Sequence, residues 1–180
     1  PGRRRAHPRV GRNMLERLWA GWRIAFLEGK NVPDNVPAEA EGTLFERILA
    51  SDDDEAAAII HRGTLVSVIL NIYPYGSGHM LVVPNRGVEK LSQLSTGESR
   101  ELWDTVQHAV GVAETVYRPS GINVGLNQGR AGGASVPDHL HVHVLPRWEA
   151  DTNFMTAIAE TRVLPEPLEE SIRKLRAGWE

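Results

Sequence analysis

The sequence predicts an α+β domain built on a five-stranded antiparallel sheet with one long helix, and with helical extensions at both ends. Five short runs rich in β-branched and apolar residues are separated by turn residues, at 58–61, 65–73, 79–83, 122–126 and 139–145. One long segment of helical period lies between the third run and the fourth. Because strands dominate and only one long helix lies among them, the pattern indicates an antiparallel sheet.

Composition is that of an ordinary globular protein. The chain has 180 residues, 41% of them hydrophobic and 24% charged, with a formal net charge of −3. This length suits one domain with appended segments, and the charge gives no indication of a nucleic-acid partner. No apolar run approaches the roughly 18 residues that span a bilayer, so we expect no membrane partner and a cytoplasmic protein. The absence of cysteine excludes a disulfide framework, a thiolate zinc site and a cysteine nucleophile.

Helical and basic segments flank the predicted domain. Residues 1–12 contain five arginines but lack the apolar stretch of a secretory signal, so we expect a disordered basic arm. Residues 13–42 are predicted as an N-terminal helix, which ends at Gly29, and a proline-containing linker. Residues 151–180 form a C-terminal extension whose helix should pack back on the domain, since its apolar residues recur at helical spacing: Leu168, Ile172, Leu175 and Trp179.

The main domain is placed at 43–150. It opens with a short helical segment, Leu44–Leu49, which is followed by a hairpin formed from the first two strand-like runs. Ser95 and Glu98 have the spacing of a capping box, so the long helix should begin there. The helix should end before Pro119, because proline removes a backbone donor and disfavours helix in the residue before it.

Three histidines alternate with aliphatic residues in the fifth run, namely His139, His141 and His143. Because side chains alternate between the two faces of a strand, all three imidazoles should share one face, with the aliphatic residues in the core. Burying three imidazoles without partners would cost about 1–3 kcal/mol for each unsatisfied group, which disfavours a purely structural explanation. Such an array can supply a nucleophile, proton donors or metal ligands, and a zinc ion held by two of them stays open as an alternative.

A loop of small residues, 129–135, precedes the histidines. Its glycines permit close approach of the backbone, and its N–H groups can bind an anion. Beside a nucleophile, such a loop indicates phosphate and weighs against metal catalysis. A metal-dependent hydrolase would need a further ligand, for which Asp138 and Glu149 are the nearby candidates, and Asp138 falls on the strand face opposite His139.

The segment His139–Trp148, with the sequence HLHVHVLPRW, resembles the signature of the histidine-triad (HIT) superfamily of nucleotide hydrolases and transferases. The likeness extends upstream through Leu70–His79 and downstream through Asp151–Met155 and Glu160–Pro165. It is closest to the bacterial branch that contains diadenosine tetraphosphate phosphorylase. The resemblance implies a HIT-like fold and an enzyme that acts on the α-phosphate of a nucleoside 5′-phosphate derivative.

The resemblance also assigns roles to individual residues. The middle histidine of the family attacks the α-phosphorus and forms a covalent nucleotidyl-histidine, which falls on His141, while His139 and His143 contact the phosphate. No cofactor is implied. The implied substrate-binding residues are Leu44, Phe45 and Ile48 against the base, Asn71 at the ribose, His79 near the phosphates, and Asn127 or Gln128, Gly133 and Ser135 at the α-phosphate or the leaving group. A strand slip of one residue exchanges Asn127 and Gln128, so both stay candidates.

One departure from the bacterial relatives concerns a structural zinc ion. Many of them hold zinc through a Cys-x-x-Cys pair, a further histidine and the first histidine of the triad. Thr43 and Glu46 stand in place of the cysteines, and Gly87 stands in place of the further histidine. A lone His139 cannot hold zinc tetrahedrally, so we expect no structural metal and expect packing from the N-terminal helix to replace it.

The sequence therefore predicts a hydrolase or phosphorylase with a nucleotide substrate, adenine being favoured. Suitable substrates are a dinucleoside polyphosphate such as diadenosine tetraphosphate, or a nucleoside phosphoramidate, and the sequence does not separate phosphorolysis from hydrolysis. The alternatives are a metal-dependent hydrolase and a non-catalytic nucleotide-binding sensor. The resemblance also implies a homodimer, with Trp103 or the face of Leu102 on the long helix as a contact.

Overall fold

The computed structural model describes residues 41–149, 151 and 166–179. The predicted basic arm and almost all of the predicted N-terminal helix and linker lie outside the described residues. In the described part the secondary structure consists of α1 (Leu44–Leu49), β1 (Ile59–Arg62), β2 (Val66–Leu70), β3 (Met80–Pro84), α2 (Thr96–Tyr117), β4 (Gly121–Leu126), β5 (Val142–Arg147) and α3 (Leu168–Trp179), with 3₁₀ turns at Leu91–Gln93 and Arg130–Gly132.

The strands form one five-stranded sheet in the order β1-β2-β3-β5-β4. Every neighbouring pair is antiparallel. The predicted α+β class with an antiparallel sheet is therefore confirmed. None of the helices in the described residues is long and apolar enough to cross a membrane.

Helix α2 begins and ends where the sequence predicts. The Ser95 hydroxyl accepts from the Glu98 backbone N–H at 3.2 Å, and the Glu98 carboxylate accepts from the Ser95 N–H at 2.7 Å, which completes a capping box. The helix stops at Tyr117, and Arg118 adopts a left-handed conformation, with φ of +46°, before Pro119.

The two faces of the sheet are covered by different elements. Helices α2 and α3 pack on one face, where they bury the side chains of β2, β3 and β5 that point to that side, together with Leu102, Val106, Ala109, Ile172 and Leu175. On the other face, Phe45 and Ile48 of α1 pack against Ile69, Leu81 and Val83. This second side, here termed the α1 face, carries the candidate site.

The C-terminal helix predicted from the spacing of apolar residues is present as α3. Ile172 and Leu175 are buried on the α2 side of the sheet. At the end of the helix, the Trp179 ring stacks on His61 with centroids 5.0 Å apart, and the Trp179 backbone carbonyl lies 3.1 Å from His108 Nε2. Helix α3 therefore packs back on the domain.

Two strand boundaries differ from the sequence-based prediction by three residues, and the others differ by two residues or fewer. Strand β2 ends at Leu70 rather than Tyr73, because the Asn71 carboxamide oxygen accepts from the Tyr73 N–H at 3.0 Å and forms a side-chain turn. Strand β5 begins at Val142 rather than His139 and continues past Pro146. The pairing of β5 with β3 ends at Val144, so Pro146 has a neighbouring strand, β4, on one side only. Proline is tolerated there because no β3 residue needs its missing N–H.

Candidate active site

The second and third histidines of the triad lie at the start of β5 on the α1 face. The pairing of His143 with Leu81 places the His143 side chain on that face, whereas Val142 and Val144 are buried against the α2 side. The rings of His141 and His143 have centroids 4.9 Å apart at an interplanar angle of 76°. The predicted alternation therefore holds within β5, although His141 itself precedes the ladder.

The geometry fixes which nitrogen of His141 is free of a proton. His141 Nδ1 lies 2.8 Å from the backbone carbonyl oxygen of His139. A carbonyl can only accept, so Nδ1 carries the hydrogen and Nε2 keeps its lone pair. Burial of the ring, which is 2% exposed, lowers the pKa of His141 below its ordinary value. His141 is thus a neutral imidazole with a nucleophilic Nε2 at neutral pH.

A directional chain of hydrogen bonds gives His143 the opposite tautomer. The Tyr75 backbone N–H donates to His79 Nδ1 at 3.1 Å, so His79 carries its hydrogen on Nε2 when its ring is neutral. That Nε2 lies 3.0 Å from His143 Nδ1, which must accept. Neutral His143 therefore carries its proton on Nε2. Two adjacent imidazoles thus present a lone pair and a hydrogen-bond donor, which suits nucleophilic substitution at phosphorus with a departing oxygen.

His139 lies behind this pair rather than beside it. Its Nε2 lies 2.8 Å from the Pro84 carbonyl oxygen, and its Nδ1 lies 2.6 Å from the Thr43 hydroxyl. The ring is fully buried, and burial lowers the pKa of His139. His139 does not line the cavity described below. The expectation that it contacts the phosphate directly therefore differs from its position, which is one that supports His141.

A cavity on the α1 face joins an apolar region to the histidines. Its apolar walls include Leu44, Phe45, Ile48, Ile69, Leu81 and Val136, and its polar groups include Asn71, Ser135, His141 and His143. Phe45 also packs edge-on against both His139 and His141, with ring centroids 5.2 Å apart in each case. An apolar slot that opens onto an imidazole pair has the form expected for a base next to a phosphate.

Several cavity residues were not singled out from the sequence. Ile69 and Leu81 face the cavity because they share the sheet face of His143, and strand alternation from His143 would have found them. Tyr75 lines the cavity and also orients His79 through its backbone N–H. No side-chain pattern in the sequence reports that backbone contact.

The two amides that the sequence could not separate have different surroundings. The Gln128 side chain contacts the 3₁₀ turn at Leu91–Gln93, where its oxygen accepts from the Leu91 N–H at 2.9 Å. Asn127 lies beside the glycine loop, with its carboxamide carbon 3.8 Å from the position that a Cβ on Gly133 would take. Asn127, Gln128 and Gly133 do not line the cavity. Of the two amides, Asn127 is the one next to the loop.

The glycine loop differs from the expected donor array. The N–H groups of Gly132 and Ala134 both donate to the Gly129 carbonyl at 3.1 Å, and the Gly133 N–H donates to the Arg130 carbonyl at 3.0 Å. These three donors are used inside the loop, so the expectation that the loop offers them to an anion is wrong for these positions. The adjoining Ser135 does line the cavity.

The residues that correspond to zinc ligands in bacterial relatives do meet in space, but they do not fit zinc. Glu46 accepts from Thr43 and from the Gly87 N–H, and Thr43 contacts His139. Gly87 offers no side-chain donor atom, and four ligands cannot be assembled from this set. Across the described ranges, no group of three or more histidine, cysteine, aspartate or glutamate side chains is placed to hold a metal ion. The N-terminal helix expected to pack here lies outside the described residues.

Comparison with known proteins identifies the family. Residues 53–150 match the HIT domain family. The chain is 40% identical over 168 residues to the AP-4-A phosphorylase of Mycobacterium tuberculosis, which covers 93% of this chain and 86% of that protein. The chain belongs to the HIT family. The resemblance inferred from the histidine motif is therefore confirmed.

Other HIT proteins match a smaller share of the chain. The asymmetrical bis(5′-nucleosyl)-tetraphosphatase of Schizosaccharomyces pombe is 37% identical over 93 residues, 52% of this chain and 50% of that protein. A zinc-bound histidine triad family protein from Mycobacterium smegmatis superposes with a TM-score of 0.57 at 25% identity, over 86% of this chain and 89% of that one. A HIT-like protein from Bartonella henselae gives a TM-score of 0.56 at 26% identity, over 67% and 85%. The HIT-like fold is confirmed.

Proposed function

We propose that this HIT-family protein is a dinucleoside polyphosphate phosphorylase that works through a covalent nucleotidyl-His141 intermediate. The observation that carries the proposal is the pair of opposite tautomers on adjacent rings, with an unprotonated Nε2 on His141 and a protonated Nε2 on His143. The sequence-based expectation of a nucleotide hydrolase or phosphorylase agrees with the names of the relatives.

The first chemical step transfers the nucleotide to the protein. His141 Nε2 forms a bond to the α-phosphorus, and the bond from that phosphorus to the bridging oxygen breaks. The electron pair leaves with that oxygen, to which the His143 Nε2–H donates a hydrogen bond that stabilises the developing negative charge. With diadenosine tetraphosphate the products are adenylylated His141 and ATP. In the second step a phosphate oxygen attacks the same phosphorus, ADP leaves, and the electron pair of the N–P bond returns to His141.

The extent of the likeness favours phosphate over water as the second acceptor. The AP-4-A phosphorylase of M. tuberculosis matches 93% of this chain, whereas the asymmetrical tetraphosphatase matches 52%. The longer match includes segments on both sides of residues 53–150, where the family domain lies. Phosphorolysis and hydrolysis share the first step, so the catalytic histidines alone do not separate them.

Base binding falls to the apolar end of the cavity. Leu44, Phe45 and Ile48 are among its apolar lining residues, and Asn71 is one of its polar lining residues. Such a slot buries a flat base and leaves the ribose hydroxyls to a carboxamide. These positions support adenine as the favoured base, Asn71 as the ribose contact and Ser135 as a phosphate contact.

A homodimer in the cytoplasm completes the proposal. Strand β4 is an edge of the sheet and leaves Val124 45% exposed, and Trp103 on α2 is also 45% exposed. An exposed edge strand next to large apolar side chains favours pairing with a second copy. The alternative contact at Leu102 is wrong, because Leu102 is fully buried in the core of this chain.

A product assay tests the proposed reaction. The purified protein is incubated with diadenosine tetraphosphate, with and without inorganic phosphate and without added metal, and the nucleotides are separated by anion exchange. ADP with ATP that appears only when phosphate is present supports the proposal. AMP with ATP in the absence of phosphate overturns phosphorolysis in favour of hydrolysis. If neither appears and AMP phosphoramidate is also untouched, the covalent mechanism is overturned in favour of a binding role.

A further inference from the structure

An acidic side chain at the start of α1 is held by a set of hydrogen bonds that ends at the triad. The Glu46 carboxylate accepts from the Thr43 N–H at 2.8 Å, from the Thr43 hydroxyl at 2.9 Å and from the Gly87 N–H at 2.8 Å. The two backbone N–H donors, first that of Thr43 and then that of Gly87, lower the pKa of Glu46. Glu46 is therefore a fixed carboxylate next to a residue that touches His139.

The space around this carboxylate is shaped for it. A Cβ on Gly87 would lie 2.8 Å from Thr43 Cγ2 and 3.0 Å from a Glu46 carboxylate oxygen. A Cβ on Gly42 would lie 2.9 Å from the same oxygen, and Gly42 has a φ of +102°, which favours glycine. Two glycines thus allow Glu46 and Thr43 to sit against the backbone, so their arrangement is more than an exposed helix cap.

From Thr43 the hydrogen bonds continue to the proposed nucleophile. The Thr43 hydroxyl lies 2.6 Å from His139 Nδ1, and the Pro84 carbonyl accepts from His139 Nε2 at 2.8 Å. The Thr43 hydroxyl has one hydrogen, so it donates to Nδ1 of a neutral His139 ring, whereas it donates to Glu46 and accepts from Nδ1 when the His139 ring is charged. The His139 carbonyl then accepts from His141 Nδ1 at 2.8 Å. Thr43 thus orients the His139 ring, and the His139 carbonyl orients the His141 ring.

We propose that Glu46 and Thr43 are positioning residues for the reaction at His141. They hold His139 in place, and the His139 carbonyl in turn keeps the proton of His141 on Nδ1 and leaves Nε2 free to attack. The cluster occupies the place of a structural metal and orients the first triad histidine by hydrogen bonds alone. The kinetic part of this inference rests on the proposed function, whereas the orientation of the imidazoles does not.

The chain contains a matched control for a simple capping role. Ser95 and Glu98 form the same capping box at the start of α2, with a hydroxyl and a carboxylate in equivalent places. Glu98 pairs with Arg86 and Ser95, and among the described residues none of its hydrogen bonds is to a histidine. If Thr43 and Glu46 only cap a helix, changes in the two boxes should have the same consequences for the histidines.

Four single variants separate positioning from capping. Thr43→Val removes the hydroxyl at constant shape, Thr43→Ser restores it, Glu46→Gln removes the charge, and Glu98→Gln is the control. We expect Thr43→Val and Glu46→Gln to lower kcat with diadenosine tetraphosphate and phosphate by about 10-fold to 100-fold, as loss of an orienting partner does. KM should change little, because the base wall is untouched. Thr43→Ser should recover most of kcat, and Glu98→Gln should leave kcat unchanged.

Imidazole nitrogen NMR gives a readout that does not depend on turnover. In the wild-type protein we expect His141 as the Nδ1–H tautomer, and in Thr43→Val and Glu46→Gln we expect mixed tautomers for His141 or an altered His139. Unchanged His139 and His141 signals in both variants, or equal kinetic losses in Glu98→Gln, would overturn the proposal. If the wild-type protein leaves the dinucleotide intact, the proposed function fails, while the NMR comparison still decides the positioning role. Should Thr43→Val not fold, Glu46→Gln and Thr43→Ser provide the same comparison.

Discussion

At the scale of single residues, the chemistry depends on where two protons lie. The His139 carbonyl keeps a proton on His141 Nδ1, and His79 accepts from a backbone N–H so that His143 receives rather than gives at Nδ1. Neither arrangement needs a charged group in the cavity. A backbone carbonyl sets the tautomer of His141, whereas the side chain of His79, itself oriented by a backbone N–H, sets that of His143.

Replacement of His141, the proposed nucleophile, should abolish turnover. For His141→Asn we expect kcat/KM with diadenosine tetraphosphate to fall by more than about 10³-fold, because no other side chain in the cavity can form the covalent intermediate at that position. Rapid acid quench and intact-protein mass analysis should show nucleotidylated protein in the wild type and none in the variant. His108→Asn, on the α2 side of the sheet near Trp179, is the control and should keep full activity. Nucleotidylation of His141→Asn would contradict the assignment.

The pH dependence of activity should reflect the burial of His141. Burial penalises the charged ring and lowers the pKa of His141 from 6.5. Protonation of Nε2 removes the lone pair, so activity is lost as pH falls through the pKa of the folded protein, which lies below 6.5. The acid limb of kcat/KM against pH should therefore fall below that value. An acid limb centred at or above it would show that a group other than a buried His141 controls the reaction.

At the scale of secondary structure, the sequence predicts the elements better than their ends. Alternation placed His141 and His143 side by side correctly, but His139 lies behind them because β5 begins only at Val142. His139 then bonds to the Pro84 carbonyl with its side chain instead of extending the ladder. The Leu140 N–H likewise donates to the Val88 carbonyl outside the ladder, so the start of β5 depends on contacts with residues far away in the chain, and periodicity within β5 does not contain that information.

The site shows the same division between local and long-range information. Leu44, Phe45, Ile48 and Asn71 were predicted from the family resemblance, and all of them line the cavity. The contact of Thr43 with His139 joins residues 96 positions apart, so it could not be inferred from spacing. The sequence did show that Thr43, Glu46 and Gly87 replace zinc ligands, but the hydrogen bonds that join Glu46 to Thr43 and Gly87 became visible only in three dimensions.

The capping box of α2 should make a pH-dependent contribution to stability. Arg86 and the Ser95 N–H lower the pKa of Glu98 from 4.5 to about 2. Because the pKa is lower in the folded state, the stabilisation is complete above pH 4.5 and is lost as pH falls towards 2. Glu98→Gln should reduce the free energy of unfolding by about 1–2 kcal/mol at pH 7.

Urea denaturation of wild type and Glu98→Gln at a series of pH values would test this. The difference between the two proteins should shrink below pH 4.5, where Glu98 of the wild type becomes protonated on unfolding. Arg86→Ala should reproduce most of the same dependence, since it removes the first of the causes of the low pKa. A difference that stays constant from pH 7 to pH 3 would mean that the Glu98 charge does not stabilise α2.

At the scale of the whole molecule, the sheet separates the main hydrophobic core from the candidate active site. The α2 side buries the larger core cluster and the C-terminal helix, whereas the α1 face holds the cavity and the histidines. Val142 and Val144 are buried on the α2 side, whereas His143 lies on the α1 face. Successive residues of β5 therefore belong alternately to the core and to the candidate site. The packing of the α2 side can therefore fix the histidine positions, and Leu70 of that core cluster also lines the cavity.

The free edge of the sheet leads to the last prediction. Trp103 and Val124 are each 45% exposed, and a homodimer would cover such apolar side chains on α2 and β4. We expect sedimentation-equilibrium analysis to give a dimer for the wild type, and Trp103→Glu and Val124→Glu to shift it towards monomer, because burial of an unpaired carboxylate opposes association. Ala177→Glu, on the exposed side of α3, should stay dimeric. A monomeric wild type, or a dimer unaffected by both charges, would place the interface elsewhere or remove it.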